Sequence, residues 1–173
     1  MFQRLDREEI FSSNWLQLFW DTVVDDRNVM LKYNVVHTRR ESVVIMVRRG
    51  SRLLLTENYR YPIGKVQLEF PAGEIEKKET PFQAAEREVY EETGIQIRCR
   101  QETYSFYPSN GLSDQKIHIV FGEYVDGELN PQYEITRCYW MEEKEMKRRL
   151  AVGEITDAGT LIAYLYSLLE GEG

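Results

Sequence analysis

Histidine and cysteine are scarce in this chain, which holds only two of each among 173 residues. The histidines are too few and too far apart for a histidine metal site, and the cysteines lack the spacing of zinc ligands. We therefore interpret Cys99 and Cys138 as reduced thiols in or near the core, and we expect a cytoplasmic location.

Long apolar runs are also missing, and no stretch is long enough to span a bilayer as a helix. The first ten residues, MFQRLDREEI, are charged, so we expect no signal peptide. The 42% of hydrophobic residues suffice for the core of one globular domain with a small subdomain.

Positive charge is in deficit, because 22 Lys and Arg residues face 29 Asp and Glu residues, for a net charge of −7. A general nucleic-acid binder usually carries a basic surface, so the composition disfavours that class of function. A small polyphosphate remains compatible with an acidic protein if local arginines and a divalent metal meet it.

The hydrophobic patterns predict a mixed α+β or α/β fold with helices packed on a sheet. Residues 1–40 hold two β-like runs joined by a turn at DDRN, and we expect a separate antiparallel β-hairpin subdomain there. Residues 41–173 would form the main domain. Its β-like runs are ESVVIMVRR, RLLLTENY, VQLEF, IQIRCRQETYSFY, QKIHIVFGEYV and ITRCYWME. Its helical runs are residues 81–93, EEKEMKRRLAVG and DAGTLIAYLYSLLEG, the last with an apolar spacing at Leu161, Ile162, Leu165, Leu168 and Leu169.

The first predicted helix has well-marked ends. Thr80 and Gln83 have the T-x-x-Q spacing of a capping box, and Pro81 suits the first helical position. Gly94 suits the left-handed residue just beyond the C-terminus. The boundaries are therefore indicated by local chemistry as well as by periodicity.

Three glutamates crowd the C-terminal end of this helix, where the helix dipole disfavours negative charge. Glu88 and Glu92 are one turn apart, and Glu91 lies beside them, one turn from Arg87, which can hold its carboxylate. Glu88 and Glu92 are then left as an uncompensated pair. On a helical wheel they flank the stripe expected to pack on the sheet, which is Phe82, Ala85 and Val89.

Two interpretations of these glutamates stay open at this point: a solvated charged face and a cation site. Oxygen ligands with no nearby histidine or cysteine favour Mg²⁺ or Mn²⁺ over zinc. The preceding loop, EFPAGEIEKKE, adds carboxylates, and Gly73 allows close approach of the backbone to another group. The pattern favours a platform for phosphate and metal.

The stretch GEIEKKETPFQAAEREVYEETGI, residues 73–95, resembles a complete Nudix box, whose pattern is G-x5-E-x7-R-E-U-x-E-E-x-G-U. Agreement at every fixed position and spacing makes this a specific motif. The matching residues are Gly73, Glu79, Arg87, Glu88, Val89, Glu91, Glu92, Gly94 and Ile95.

The resemblance implies a Nudix α/β/α sandwich with a mixed sheet and metal-dependent hydrolysis of a nucleoside diphosphate linked to another moiety. It implies that Glu88 and Glu92, with the backbone carbonyl of Ala72, hold Mg²⁺, with Mn²⁺ as an alternative. Glu91 would ligate metal or position water.

Two further roles follow from the resemblance. Arg87 joins the catalytic set because, with Glu79, it would orient the carboxylates. A carboxylate outside the box often acts as the base in similar enzymes, and the candidate here is Glu134. Glu128 and Asp126 are rivals in the same acidic loop, and a solvated loop charge is an equal alternative for each.

Residues beside the box resemble the branch that hydrolyses ADP-ribose and other nucleoside diphosphate sugars, through the segment ENYRYPIGKVQLEFPAGEIE. The resemblance implies that Arg60 meets the substrate phosphates and that Glu69 contacts substrate or water, whereas a surface ion pair is the plainer role for Arg60. Similar enzymes use N-terminal strands of this kind to form a homodimer, so we expect one here.

The segment YPSNGLSD resembles a downstream substrate-binding loop that often reads S-P-G, which makes Ser109 and Asn110 candidates for substrate contact. Asn110 stands where the branch usually has proline. This departure favours a broader diphosphate-sugar hydrolase acting on ADP-ribose and GDP-mannose. The alternatives are a Nudix enzyme for nucleoside triphosphates, dinucleoside polyphosphates or RNA 5′ ends, and a non-catalytic nucleotide-sugar-binding module.

Overall fold

The computed structural model describes residues 1–132 and 135–170, apart from the side chains at 101–103 and 170. Ten strands and three α-helices lie within these residues. The strands are β1 (Gln3–Ser12), β2 (Leu16–Val24), β3 (Met30–Thr38), β4 (Ser42–Arg49), β5 (Arg52–Arg60), β6 (Lys65–Glu69), β7 (Ala72–Glu74), β8 (Gln96–Phe106), β9 (Ile117–Asp126) and β10 (Ile135–Glu142). The helices are α1 (Pro81–Thr93), α2 (Glu143–Ala151) and α3 (Ala158–Glu170). No helix of this described part is long and apolar enough to cross a membrane.

The chain divides into two compact units. The N-terminal unit comprises Met1–Glu41 together with Phe106–Lys116, and the main unit comprises Ser42–Ser105 together with the chain from Ile117 onward. The N-terminal unit thus includes an 11-residue segment from the middle of the sequence, which the expected split at residue 40 had left in the main domain.

The N-terminal unit is an antiparallel sheet with the order β1-β2-β3. The predicted hairpin is present as β2 and β3, and Asp25 closes its turn by accepting hydrogen bonds from the N–H groups of Arg27 and Val29, both at 2.9 Å. Strand β1 was not predicted, because its sequence is charged and does not alternate. It is held in place by Arg7, which donates two hydrogen bonds of 2.7 Å to the buried Asp21 of β2.

The main unit is a mixed sheet with the order β10-β5-β4-β9-β8, to which β6 adds beside β5 and β7 beside β4. Strand β4 runs parallel to β9 and antiparallel to β5 and β7. Side chains of β4 alternate between two packed faces. Val43, Ile45 and Val47 join a core cluster with residues of α1, whereas Val44 faces Gly159 of α3. The predicted sandwich of helices about a mixed sheet is confirmed.

The predicted boundaries of α1 are confirmed by its caps. Thr80 Oγ1 accepts from the N–H of Gln83, and Gln83 Oε1 accepts from the N–H of Thr80 at 2.9 Å. Gly94 has a φ of +78° and donates its N–H to the carbonyl of Tyr90. Helix α1 therefore ends where local chemistry indicated.

The buried face of α3 differs from the leucine-rich stripe in its sequence. Thr160, Ala163 and Tyr164 are buried, whereas Leu165 and Leu169 are 59% and 69% exposed. The helix is oriented by polar contacts at its first turns, such as the 3.1 Å hydrogen bond from the hydroxyl of Tyr164 to Glu143. The spacing of apolar residues alone therefore does not show which face of α3 is buried.

The C-terminal end of α1 is covered by the loop that follows β9. The N–H groups of Asn130 and Gln132 donate to the carbonyls of Thr93 and Glu92 at 2.8 and 3.0 Å. Gly127 enters this contact with a φ of +99°, and a Cβ atom there would lie 2.8 Å from the carbonyl oxygen of Gly94. The loop thus provides hydrogen-bond donors that the helix end lacks.

We expect Gly127→Ala to lower the free energy of unfolding by about 2–4 kcal/mol, because the new methyl group meets backbone atoms and the φ is unfavourable for alanine. Urea denaturation measures the change. Gly50→Ala is the matched control, since Gly50 has a φ of +60° but open space around a Cβ. It should cost about 1 kcal/mol. Equal losses for both variants would contradict the proposed contact.

Candidate active site

The carboxylate of Glu88 on α1 lies directly against the backbone of Gly73 in β7. A Cβ atom at residue 73 would lie 2.0 Å from Glu88 Cδ, so any larger residue would displace the Glu88 carboxylate from this position. Burial raises the pKa of Glu88, whereas the hydrogen bond and charge of Arg87 lower it. Gly73 and Glu88, two fixed positions of the box, therefore meet in one contact between β7 and α1.

Arg87 holds the box together through five hydrogen bonds. Its Nε and Nη2 donate to the two carboxylate oxygens of Glu79 at 2.8 and 2.9 Å, and Nη2 also donates to the carbonyl of Glu74. Its Nη1 donates to Glu88 at 2.8 Å and to Glu91 at 3.1 Å. The expectation that Glu88 has no compensating charge was wrong, because one guanidinium reaches both neighbouring acids.

Glu92 is the acid that this network does not reach. Its Oε2 atom is buried and has no hydrogen-bond partner within the described residues. Burial and then repulsion from Glu88 raise its pKa to about 8, although Arg60 and the N–H of Ala72 act in the opposite direction. A cation beside this oxygen would favour the ionised carboxylate.

The residues present fit a hard divalent metal, as the family resemblance implies. The donors are oxygen atoms, and Glu92 offers a desolvated oxygen that no other described residue satisfies. Among the described side chains, however, no three His, Cys, Asp or Glu residues already converge as a ligand set. Glu88 and Glu91 are instead turned to Arg87.

Arg60 lies at the end of β5, and its charge lowers the pKa of Glu92. Its Nε donates to both carboxylate oxygens of Glu69 at 2.9 and 3.1 Å, and Nη2 makes a further bond to Oε2. Glu69 is only 3% exposed and also accepts from Asn58. The hydrogen bond to Glu69 is the main cause that raises the pKa of Arg60, with smaller effects from Asp157 and Glu92.

Two of the three base candidates lie within the described residues. Glu128 lines an open groove of about 730 Å³ with Tyr90 and Glu91. Asp126 and Glu128 both line a second groove, beside Arg49. Glu134, the preferred candidate, lies outside the described residues.

Ser109 and Asn110 belong to the N-terminal unit. The carbonyl of Ser109 accepts from the N–H groups of Leu112 and Ser113, which makes a compact turn, and the adjoining chain pairs with β3 through Val36. Asn110 lines a groove of about 330 Å³ with aromatic and small residues of the same unit. Their role in substrate contact stays a prediction.

Sequence reasoning did not single out Asn58, Asp157 or Thr160. Asn58 contacts Glu69, and Thr160 contacts the backbone of Phe70, next to the box. Asn58 lies in the segment ENYRYPIGKVQLEFPAGEIE but was given no role there, whereas Asp157 and Thr160 belong to no motif, and Thr160 is 90 positions from its partner. Only the tertiary fold brings them to the site.

The NUDIX domain family model matches residues 38–160, and the chain therefore belongs to the Nudix hydrolase family. Members of this family generally use divalent metal ions and act on small nucleotide substrates. The box recognised in the sequence lies inside the matched region.

Several curated relatives align over nearly the whole chain. An ADP-ribose pyrophosphatase of Bacillus subtilis is 27% identical over 95% of this chain and 91% of its own length. A methanol dehydrogenase activator of Bacillus methanolicus is 29% identical, with 94% and 90% covered. A GDP-mannose pyrophosphatase of Yersinia enterocolitica is 25% identical, with 95% and 94% covered.

A solved structure described as an ADP compounds hydrolase superimposes with a TM-score of 0.82. The match covers 99% of this chain and 96% of that one, at 22% sequence identity. At this identity the superposition supports the fold alone.

We expect Glu92→Gln to stabilise the metal-free protein by about 1–2 kcal/mol, because it removes an acid whose ionised form is poorly solvated. The folded carboxyl, with its pKa near 8, binds more protons than an ordinary one of pKa 4.5, so its contribution to stability falls as pH rises between these values. The gain should therefore be larger at pH 8 than at pH 5. Thermal unfolding in EDTA measures it.

The exposed Glu86 of the same helix provides the control, Glu86→Gln, which should change neither stability nor metal response. Added Mg²⁺ or Mn²⁺ should raise the melting temperature of the wild type and of this control, but not that of Glu92→Gln. A metal response that survives in Glu92→Gln would exclude Glu92 as a ligand.

Proposed function

We propose that the protein hydrolyses the pyrophosphate bond of nucleoside diphosphate sugars, with ADP-ribose first and GDP-mannose second, to a nucleoside monophosphate and a sugar phosphate. The reaction depends on a divalent metal, Mg²⁺ by preference and Mn²⁺ as an alternative. The observation that carries the proposal is the complete Nudix box around Glu92, whose buried oxygen has no hydrogen-bond partner in the described part of the chain.

Each residue of the box has a task in this reaction. Glu88 and Glu92, with the carbonyl of Ala72, hold the metal, which neutralises the phosphates and acidifies water when it is bound. Arg87 fixes Glu88 and Glu91, so that both carboxylates occupy defined positions. Glu134 removes the proton from the attacking water, with Glu128 and Asp126 as rivals.

The substrate assignment is supported by residues outside the box. Arg60 binds the diphosphate, while Glu69 orients its guanidinium. Ser109 and Asn110 contact the rest of the substrate. The names of two relatives, an ADP-ribose pyrophosphatase and a GDP-mannose pyrophosphatase, favour sugar diphosphates over the nucleoside triphosphate, dinucleoside and RNA alternatives.

Hydrolysis of a substrate panel tests the proposal. We expect Mg²⁺-dependent release of phosphatase-sensitive product from ADP-ribose and GDP-mannose, faster than from UDP-glucose, NADH or deoxynucleoside triphosphates. Glu92→Gln should lower kcat by about 100-fold or more, because the metal loses a ligand, whereas Glu86→Gln should not. Among Glu134→Gln, Glu128→Gln and Asp126→Asn, the variant of the true base should lose most kcat with little change in KM.

Turnover confined to deoxynucleoside triphosphates would support metal-dependent hydrolysis of a phosphate anhydride, but it would refute nucleoside diphosphate sugars as the substrate class. Binding of ADP-ribose without any turnover, in the presence of Mg²⁺ and of Mn²⁺, would favour the non-catalytic binding module instead.

A cytoplasmic location stays a prediction from the two unpaired cysteines.

We further propose that the protein is a homodimer through its N-terminal strands. Large apolar side chains of this unit are exposed, and a second copy would cover them. Those exposed by more than half are Met1, Phe2, Leu5, Phe11, Trp15, Met30 and Tyr107.

We expect light scattering to give twice the chain mass of 20.5 kDa for the wild type. Phe11→Glu combined with Trp15→Glu should give the mass of one chain, because charges are costly in an apolar interface. Gln3→Glu, a charge added at an exposed polar position of β1, is the control and should leave the dimer intact. An unchanged mass for the double variant would refute this interface.

A further inference from the structure

Thr160 of α3 is completely buried, and its hydroxyl serves a distant part of the chain. Its Oγ1 accepts a 2.9 Å hydrogen bond from the backbone N–H of Phe70, which is itself fully buried. Phe70 stands two residues before Ala72, at the turn from β6 into β7. The side chain of Thr160 therefore fixes the backbone that leads into the box.

The same turn is also held by two residues of β4. The carbonyl of Pro71 accepts from the N–H of Ile45 at 2.8 Å, and Ala72 pairs with Val44 in β4. Val44 in turn packs against α3, where a Cβ atom at Gly159 would lie 3.4 Å from Val44 Cγ2. The first turn of α3 thus packs on the strand that pairs with Ala72 as well as on the turn itself.

Thr160 is in turn fixed by its own helix. Asp157 Oδ2 accepts from the N–H of Thr160 at 2.7 Å, and the carbonyl of Asp157 accepts from the N–H of Leu161 at 3.0 Å. These contacts set the rotation of the first turn and aim Oγ1 at Phe70. An apolar side chain could fill the same volume, but it would leave the N–H of Phe70 buried without a partner.

We propose that Thr160 is a positioning residue of the metal site, which aligns the Ala72 peptide through the backbone of Phe70 and Pro71. The inference deepens the proposed function and rests on its metal site. Ala72 is the residue whose carbonyl is assigned to the metal, and its backbone N–H is among the groups that lower the pKa of Glu92. A shift of Ala72 would therefore disturb both groups.

Mn²⁺ binding, measured by EPR on the full chain without substrate, tests the inference. Thr160→Val should raise the Kd for Mn²⁺ about 10-fold or more, as is typical when an outer partner of a metal ligand is lost. Thr160→Ser keeps the acceptor and should stay within about twofold of the wild type on the same grounds. Thr160→Ala is the second variant, since it removes the hydroxyl without adding bulk, and it should weaken binding as well.

Ile97→Val controls for lost stability, because Ile97 is a buried residue of β8 that contacts Gly122 rather than the turn. It should lower the melting temperature and leave the Kd unchanged. Equal Kd values for the wild type, Thr160→Val and Thr160→Ala would overturn the inference, as would a wild type that binds no Mn²⁺. If the affinity for Mn²⁺ depends on Thr160 but the wild type hydrolyses no diphosphate, the proposed function is refuted and the inference stands.

Discussion

The buried carboxyl of Glu92, one helical turn from Glu88, is the constraint on which the site depends. Two acids at the negative end of a helix are unfavourable unless other groups stabilise them. The protein meets this cost only in part. Arg87 stabilises Glu88, and the loop after β9 satisfies helix carbonyls through the N–H groups of Asn130 and Gln132. Among the described residues, no group donates a hydrogen bond to Glu92 Oε2, and burial raises the pKa of this carboxyl to about 8, as expected of a buried acid that no cation neutralises.

This constraint explains the arrangement of the main unit around β4. One face of the strand packs on α1, which carries the acids, and the other packs on α3. Its edge pairs with β7, which carries Ala72 and Gly73. The strand, buried from Val43 to Val47, therefore fixes the separation between the turn and the helix. An added Cβ atom at Gly73 would displace the carboxylate of Glu88, so this contact holds the acid in place only while residue 73 is glycine.

Local chemistry in the sequence was enough to predict α1, because Thr80, Gln83 and Gly94 act within one or two turns of the helix ends. The box residues were chosen by their resemblance to the Nudix pattern, and the helical wheel separately singled out Glu88 and Glu92. Features that depend on distant partners were not predictable: the Arg7 contact that holds β1, the rotation of α3, and the contact between Thr160 and Phe70. The sequence contains those residues, but spacing along one element does not show what another element brings to them.

The ion pair of Arg60 with Glu69 restrains a side chain that remains partly exposed. Its Nε and Nη2 are committed to Glu69, which is almost fully buried, whereas the side chain as a whole remains 44% exposed. Nη1 takes no part in these bonds. An arginine loses rotamer freedom when it binds a phosphate. In Arg60 the bonds to Glu69 already restrict most of that freedom. The ion pair is therefore compatible with the proposed role of Arg60 as a phosphate ligand, because a restrained guanidinium would lose less freedom on binding.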